Sequence, residues 1–209
     1  MIDISSISVS GFEAAIRGMR NPMNSWDKCD SIFGTPDNIH YCYIGDNDKK
    51  LMKSLVKAGS DHRKFMRMIN VTMDINAPLY WWKEFDTYKV GTVANSCSTM
   101  HKIHEKEFVI EDFSTEHLDA FSRFYFKKII ALLNHARETY IETKDKEDWW
   151  QMIQILPTSY NQLRTVQLNY EVLYSIYHAR KEHKLDEWCI FCETILTLPL
   201  MDEFITEEK

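Results

Sequence analysis

The sequence predicts a mixed α/β (α+β) fold with a helical majority and a few strands. After Ser114, large apolar residues recur at spacings of three and four, which is typical of a long amphipathic helix. From residue 65 to residue 75, apolar and polar residues alternate as in a half-buried strand. The 209-residue chain has only six glycines and five prolines, which argues against a disordered or linker-rich protein. We therefore predict a single domain over residues 1–209.

In the first half of the chain, turn residues separate the predicted elements. Residues 2–9 form a short strand, and Ser10 is the expected N-cap of a helix that ends near residue 19. Residues 20–46 are rich in Asn, Asp, Gly and Pro and predict a long irregular segment, which in a compact domain is often functional. The next predicted elements are a helix over 48–58, the strand over 65–75 and a helix over 78–88 that begins at Pro78.

The amphipathic helix is the longest predicted element. Ser114 is its expected N-cap, and the pattern continues for roughly 25 residues to Tyr140. Its apolar stripe comprises Leu118, Phe121, Tyr125, Ile129, Leu132, Ala136 and Tyr140. The later predicted elements are a short helix around residues 149–153, a strand over 164–168 and helices over 169–182 and 186–197.

Charge and cysteine content argue against several classes of function. Thirty-one acidic residues against 25 Lys and Arg give a net charge of −6, which argues against binding to polymeric nucleic acid. No apolar run approaches the roughly 20 residues that span a bilayer, so no membrane association is expected. The first residues lack the pattern of a secretory signal, and the five cysteines are an odd number. Reduced thiols in a cytoplasmic protein are the expected state.

Two short motifs have some of the features of a metal site. Cys189-x-x-Cys192 has no second cysteine pair at comparable spacing, and its aromatic neighbours indicate buried packing. His101-x-x-His104-Glu105 lacks a third ligand at a familiar spacing and is typical of a solvated polar helix end. We predict no metal site.

Two polar segments remain as candidates for ligand binding. Residues 86–101 carry small hydroxyl and amide side chains, which can bind phosphate or pyrimidine carbonyls; an ordinary solvent loop is the alternative. In residues 157–180, Asn169 begins a helix and Arg180 follows eleven residues later, about three turns on, so both lie on one face. Arg180 at the end of an apolar stripe favours an anion such as phosphate. The alternative is a surface arginine that stabilises a helix C-terminus.

These two segments, in this order, resemble those of the flavin-dependent thymidylate synthases. That family carries a Leu-Pro, then an Asn twelve residues after the proline that begins a helix, then an Arg eleven residues after the Asn. Leu156-Pro157, Asn169 and Arg180 keep these spacings. Upstream, the run from Gly59 to His62 is similar to the family's Ser and Glu-His element ahead of a strand. The resemblance covers roughly residues 48–200.

The resemblance implies a thymidylate synthase-complementing-protein-like fold, in which long helices flank a mixed β-sheet. It implies a homotetramer with sites between subunits, so apolar residues around Trp81–Trp82 and Phe121–Tyr125 should be buried between subunits. The implied reaction is the reductive methylation of dUMP to dTMP, in which methylenetetrahydrofolate gives the carbon and NADPH reduces FAD. No side chain is assigned as catalytic. By motif position, the implied flavin contacts are Ser60, His62, Asn169 and Ser175, and the implied nucleotide contacts are Lys89, Ser98 and Arg180.

The sequence also departs from the family pattern at cationic positions. The family signature falls on residues 88–101, where Asn95 and Ser98 match it. Its Arg-His-Arg triplet reads Tyr88-Lys89-Val90, and the arginine two residues after the helix-opening Asn is Glu171. Two alternatives therefore stay open: a non-catalytic nucleotide-binding or interaction module on the same scaffold, and an enzyme of this fold that acts on a modified pyrimidine nucleotide.

Overall fold

The structure is a computed structural model that describes residues 1–35 and 38–206, and it confirms the predicted mixed α/β fold. The described strands are β1 (Asp3–Ser10), β2 (Ile32–Thr35), β3 (Asn38–Tyr43), β4 (Asn70–Pro78), β5 (Val93–Ser96) and β6 (Asn161–Asn169). The described α-helices are α1 (Phe12–Arg20), α2 (Asp46–Lys57), α3 (Leu79–Phe85), α4 (Ala120–Thr143), α5 (Lys146–Ile155), α6 (Tyr170–Arg180), α7 (Asp186–Leu196) and α8 (Met201–Thr206). Four strands form one sheet in the order β1-β4-β6-β5.

The prediction that residues 20–46 are irregular was wrong in part. Strands β2 and β3 pair antiparallel within this segment, with Ile32 opposite Tyr43 and Phe33 opposite Cys42. The many turn residues on either side concealed these short strands from sequence analysis. Residues 36 and 37 lie outside the described residues.

Two predicted element boundaries in the first half of the chain were also wrong. The strand predicted over 65–75 begins only at Asn70, because a 3₁₀ helix occupies Arg63–Met68. Ser10 does not cap α1; the N-cap is Gly11, whose φ is 95°. A Cβ atom at Gly11 would lie 2.1 Å from the carbonyl oxygen of Met68, so both the backbone angle and the close packing require glycine there.

The long helix α4 begins five residues later than predicted. Asp119 is its N-cap, and the Asp119 carboxylate accepts a hydrogen bond from the backbone N–H of Ser122 at 2.7 Å. Ser114, the predicted cap, donates its hydroxyl to Oδ1 of Asn161 at 2.8 Å instead. The tertiary contact of Ser114 takes its side chain away from the predicted capping role.

Helix α4 carries two apolar stripes, and the structure buries only one of them. Ile130, Leu133 and Ala136 are buried and belong to one hydrophobic cluster. The other stripe includes Phe121, which is 71% exposed, and Tyr125, which is 52% exposed. We call this second surface the α4 patch and define it as Phe121, Phe124, Tyr125, Ile129 and Leu132.

By packing, the chain divides into two compact units. The first comprises Met1–Ser5, Asp74–Thr87 and Ala94–Val166, and the second comprises Ser6–Met73, Tyr88–Val93 and Gln167–Lys209. The division falls within β1, β4, β5 and β6, so each of these strands contributes residues to both units. The single domain over 1–209 therefore stays a prediction.

An aromatic cluster on α3 dominates part of the first unit. Trp81 and Trp82 are fully buried with ring centroids 4.9 Å apart, and Trp81 stacks on Phe85 at 5.0 Å. Nε1 of Trp82 donates to the carbonyl oxygen of Gln162 at 2.9 Å. The expectation that this tryptophan pair lies between subunits was wrong, because its own chain already covers it.

A buried carboxylate joins α1, the following turn and α2 in the second unit. Asp48 is fully buried and accepts hydrogen bonds from Nε of Arg20 and Oγ of Ser31, each at 2.7 Å. The backbone N–H groups of Asp30 and Ser31 also donate to it, at 3.1 and 3.0 Å. Burial alone would raise the pKa of Asp48, but the hydrogen bonds from Ser31, Arg20 and Asp30 outweigh burial and lower it. The carboxylate is therefore ionised and fixes the loop to both helices.

Helix α7 places its cysteines differently from each other. Cys192 is buried, and burial raises its pKa to about 12. Cys189 is half-buried, with its thiol 3.5 Å from the carbonyl oxygen of His183. The predicted buried packing is confirmed for Cys192.

Across the described residues, none of the helices combines the length and hydrophobicity needed to cross a bilayer.

Candidate functional site

Helix α6 carries two of the predicted site residues at its two ends. Asn169 is the N-cap, and its Oδ1 accepts a hydrogen bond from the backbone N–H of Val172 at 3.0 Å. Leu173 and Ile176 are fully buried and fix the helix against the second unit's core. Arg180 is the last residue of the helix. The predicted helix and the predicted role of Asn169 in beginning it are confirmed.

The segment Tyr88–Val93 packs directly against Asn169. Gly91 in this segment has φ of +76°, and a Cβ atom there would lie 2.6 Å from Nδ2 of Asn169. Only glycine allows this approach without a shift, because an added carbon would collide with the amide. The signature segment and the helix-opening asparagine, which are far apart in sequence, are therefore neighbours in space.

Arg180 contacts the same segment from the other end of α6. Its Nε donates to Oη of Tyr88 at 2.9 Å, and its guanidinium carbon lies 4.8 Å from the ring centroid of Trp188. The rings of Tyr88 and Trp188 are 6.0 Å apart and nearly perpendicular. These two aromatic rings hold the half-buried guanidinium in a defined plane, as a residue that binds an oxyanion requires.

A half-buried ion pair joins α6 to the turn after α2, and sequence analysis missed it. Nε of Arg63 lies 3.1 and 3.0 Å from the two carboxylate oxygens of Glu171. The guanidinium carbon of Arg63 lies 4.4 Å from the ring centroid of Tyr174. The side chains of Arg63 and Glu171 are only 16% and 14% exposed. The pair therefore joins the residue after His62 to the second residue of α6.

The remaining predicted residues of the second unit are exposed to solvent. Ser60 and His62 lie in the turn between α2 and the 3₁₀ helix, and both are exposed. Lys89 is exposed in the segment that contacts α6. Ser175 is exposed, and its hydroxyl donates to the carbonyl oxygen of Glu171 at 2.9 Å, within its own helix. The flavin and nucleotide roles of these residues stay predictions.

Ser98 belongs to the first unit, where it borders a cleft. Its Oγ accepts hydrogen bonds from the backbone N–H groups of Met100 and His101 at 3.2 and 3.0 Å. The cleft has a volume of about 550 Å³, and its polar lining includes the amides of Asn76, Asn161 and Gln162. Amide side chains offer both donors and acceptors, which suits the edge of a pyrimidine ring.

Acidic and basic side chains line this cleft together. Lys102 and Lys106 are balanced by Glu105, Glu111 and Asp112. The cleft is therefore less suited to a dianionic phosphate than to a neutral ring. At its wall, burial raises the pKa of Tyr160, and the nearby charge of Asp112 raises it further. This phenol stays neutral at ordinary pH and can donate a hydrogen bond.

Two polar contacts hold the side chain of Gln162, which lines the cleft. Nε2 of Gln162 donates to the carbonyl oxygen of Cys97 at 2.7 Å, and Oε1 of Gln162 accepts from Nε of Arg164 at 3.0 Å. Arg164 lies over the ring of Trp82 at 4.2 Å and donates to Asp86 at 2.8 Å.

Among the described residues, no group of three or more His, Cys, Asp or Glu side chains has the arrangement of a metal site.

Comparison with solved structures identifies the fold. Thymidylate synthase X from Helicobacter pylori with FAD and dUMP is 15% identical with a TM-score of 0.71, over 100% of this chain and 98% of that one. A second structure of the Helicobacter pylori enzyme, also complexed with FAD and dUMP, is 14% identical with a TM-score of 0.69, over 99% and 98% of the two chains. The UMP/dUMP methylase PolB from Streptomyces cacaoi, bound with 5-Br dUMP, is 14% identical with a TM-score of 0.64, over 99% and 94%.

No protein-family model matches the sequence, and no curated protein matches it either. The chain nevertheless has the fold of the flavin-dependent thymidylate synthases over its whole length. The resemblance predicted from motif spacing is therefore confirmed at the level of the fold. Sequence identities of 14–15% establish the fold and leave the activity to be argued from the site.

Proposed function

We propose that this protein methylates dUMP to dTMP as a divergent flavin-dependent thymidylate synthase. Methylenetetrahydrofolate would give the carbon, FAD would be the bound cofactor, and NADPH would reduce it. A homotetramer in the cytoplasm is part of the same proposal. The observation that carries it is the contact of Asn169 and Arg180, whose spacing suggested the family, with one segment, Tyr88–Val93.

Several side chains of the second unit fit a cofactor that carries phosphate. Ser60 and His62 are exposed and lie close together in the turn after α2. A diphosphate would accept hydrogen bonds from such donors. A bound flavin would supply the hydride, and the protein would supply binding and orientation.

The three predicted nucleotide contacts differ in their chemistry. Arg180 would donate to the phosphate of dUMP from its fixed plane between Tyr88 and Trp188. Ser98 would contact the nucleotide through its hydroxyl proton, since its oxygen already accepts two backbone hydrogen bonds. Lys89 is exposed and has the reach to add charge near the phosphate.

The α4 patch supports the proposed oligomer. Phe121 and Phe124 are 71% and 57% exposed, on a helix that already buries its other apolar stripe. Contiguous exposed aromatic residues of this size are uncommon on monomers and mark contact surfaces. A second copy of the chain would cover this patch.

One observation favours the non-catalytic alternative. Glu171 places a carboxylate where the resembling family has an arginine, and Arg63 neutralises it rather than adding net charge. A binding or interaction module tolerates such a loss more readily than a synthase does. The UMP/dUMP methylase among the structural neighbours supports the other alternative, an enzyme of this fold with a different pyrimidine nucleotide.

Flavin binding separates these possibilities. The purified protein should be yellow, or should become so when FAD is added, and NADPH should then bleach the flavin absorbance. Protein that stays colourless after FAD is added and dialysed would contradict the synthase and favour the module. If NADPH bleaches the flavin but the protein converts UMP or a modified dUMP and not dUMP, the enzyme with a different pyrimidine nucleotide is favoured.

A further inference from the structure

The ion pair of Arg63 uses only one edge of the guanidinium. Its Nε contacts both carboxylate oxygens of Glu171. Among the described residues, neither Nη1 nor Nη2 of Arg63 has a hydrogen-bond partner. The side chain is 16% exposed, so part of it reaches solvent. Two parallel N–H donors are therefore available beside a largely buried pair.

The orientation of these donors is fixed before any ligand binds. Tyr174 is buried, and its ring lies 4.4 Å from the guanidinium carbon of Arg63. The carboxylate of Glu171 holds the opposite edge of the same plane. An arginine fixed in this way loses little side-chain entropy on binding and presents a fork that matches phosphate oxygens.

The position of the fork points to a ligand rather than to open surface. Arg63 follows His62, and its partner Glu171 lies two residues after Asn169; both flanking residues are expected cofactor contacts. We propose that Arg63 binds a phosphate group through its Nη edge and replaces the cation that Glu171 removes. The choice of ligand, FAD or dUMP, and the argument from His62 and Asn169 rest on the proposed function; the fixed orientation of the Arg63 donors does not.

Calorimetric titration of the full chain tests this assignment. The probes are FAD, dUMP and inorganic pyrophosphate, and the variants are Arg63→Ala, Glu171→Gln and the control Arg67→Ala. Arg67 is an exposed arginine of the same 3₁₀ helix. Arg63→Ala should weaken binding of its probe at least about tenfold, because a charge-assisted pair of hydrogen bonds is lost. Glu171→Gln should strengthen binding several-fold, since the amide no longer neutralises the guanidinium, and Arg67→Ala should change nothing.

The opposite signs of the two effects distinguish binding from structure. A pair that only ties the turn to α6 would make both substitutions weaken binding together, and that result overturns the proposal. Arg63→Ala that binds like Arg67→Ala overturns it as well. If Arg63→Ala does not fold by circular dichroism, Arg63→Lys keeps the charge without the fork and should bind less tightly than wild type; equal binding would refute the fork.

The three probes separate this proposal from the proposed function. Loss of FAD affinity alone identifies the diphosphate of the cofactor, and loss of dUMP affinity alone identifies the nucleotide phosphate. Wild type that binds pyrophosphate through Arg63, but neither FAD nor dUMP, supports the anion site and contradicts the synthase. If wild type binds FAD or dUMP and Arg63→Ala binds it equally well, only this proposal is overturned. Wild type that binds none of the three overturns both.

Discussion

Gly91→Ala should destabilise the fold through two effects that can be measured separately. The φ angle of +76° at Gly91 is unfavourable for any residue with a Cβ atom, at a cost of roughly 1–2 kcal/mol. The added Cβ would also lie 2.6 Å from Nδ2 of Asn169, so that side chain must move. Movement of Asn169 weakens its N-cap hydrogen bond to Val172, which is worth about 1 kcal/mol. We expect the free energy of unfolding to fall by about 2–3 kcal/mol in total.

Gly59→Ala is a matched control for this prediction. Gly59 also has a positive φ, +99°, but a Cβ atom there would meet nothing within 4 Å. Its alanine variant should therefore show only the backbone effect. Urea unfolding followed by far-UV circular dichroism gives the free energy of unfolding of each variant. Equal losses at the two positions would refute the packing of Gly91 against Asn169, and no loss at Gly91 would refute the described backbone as well.

Three further predictions concern the ion pair of Arg20 and Asp48, the nucleotide site and the oligomer. Asp48→Asn should lower the free energy of unfolding by about 3–5 kcal/mol, because Arg20 is left buried without its carboxylate. The pKa of Asp48 in the folded protein is lowered below its unfolded value of about 3.9. The stabilisation by the Asp48 carboxylate is therefore full above that pH and is lost as the pH falls through the folded-state pKa. Unfolding curves across acidic pH should therefore be less pH-dependent for the variant, and parallel wild-type and variant curves would contradict this. Arg180→Ala should weaken dUMP binding at least about tenfold in calorimetry, and Arg180→Lys should recover only part of it. Unchanged affinity of Arg180→Ala would remove this residue from the site. Phe121→Glu should reduce the mass measured by light scattering, whereas Lys127→Glu, which changes an exposed residue outside the α4 patch, should not. Wild type of monomer mass would contradict the tetramer.

Local signals in the sequence were sufficient for α6 and its two end residues. Asn169 is a strong N-cap residue, and the apolar positions after it keep helical spacing to Arg180. Both features depend only on neighbouring residues, so the local sequence is sufficient to predict them. The same reasoning placed α7 and β6 within a few residues of their observed bounds.

Contacts between distant parts of the chain could not be predicted in this way. Arg63 and Glu171 are 108 residues apart, and neither residue carries a local sign of the other. Glu171 therefore indicated only a lost cation, although the fold places another one within hydrogen-bond distance of it. The two stripes of α4 show the same limit, because periodicity identifies an apolar face without stating what covers it.

Formation of dTMP from dUMP tests the central claim most directly. The protein would be incubated with dUMP, methylenetetrahydrofolate, FAD and NADPH. The nucleotides would then be separated and quantified by mass spectrometry. We expect dTMP to accumulate in proportion to the protein, and to be absent when either FAD or the folate is omitted. Protein that binds FAD and dUMP but forms no dTMP under these conditions would contradict the synthase and leave a nucleotide-binding module on the same fold.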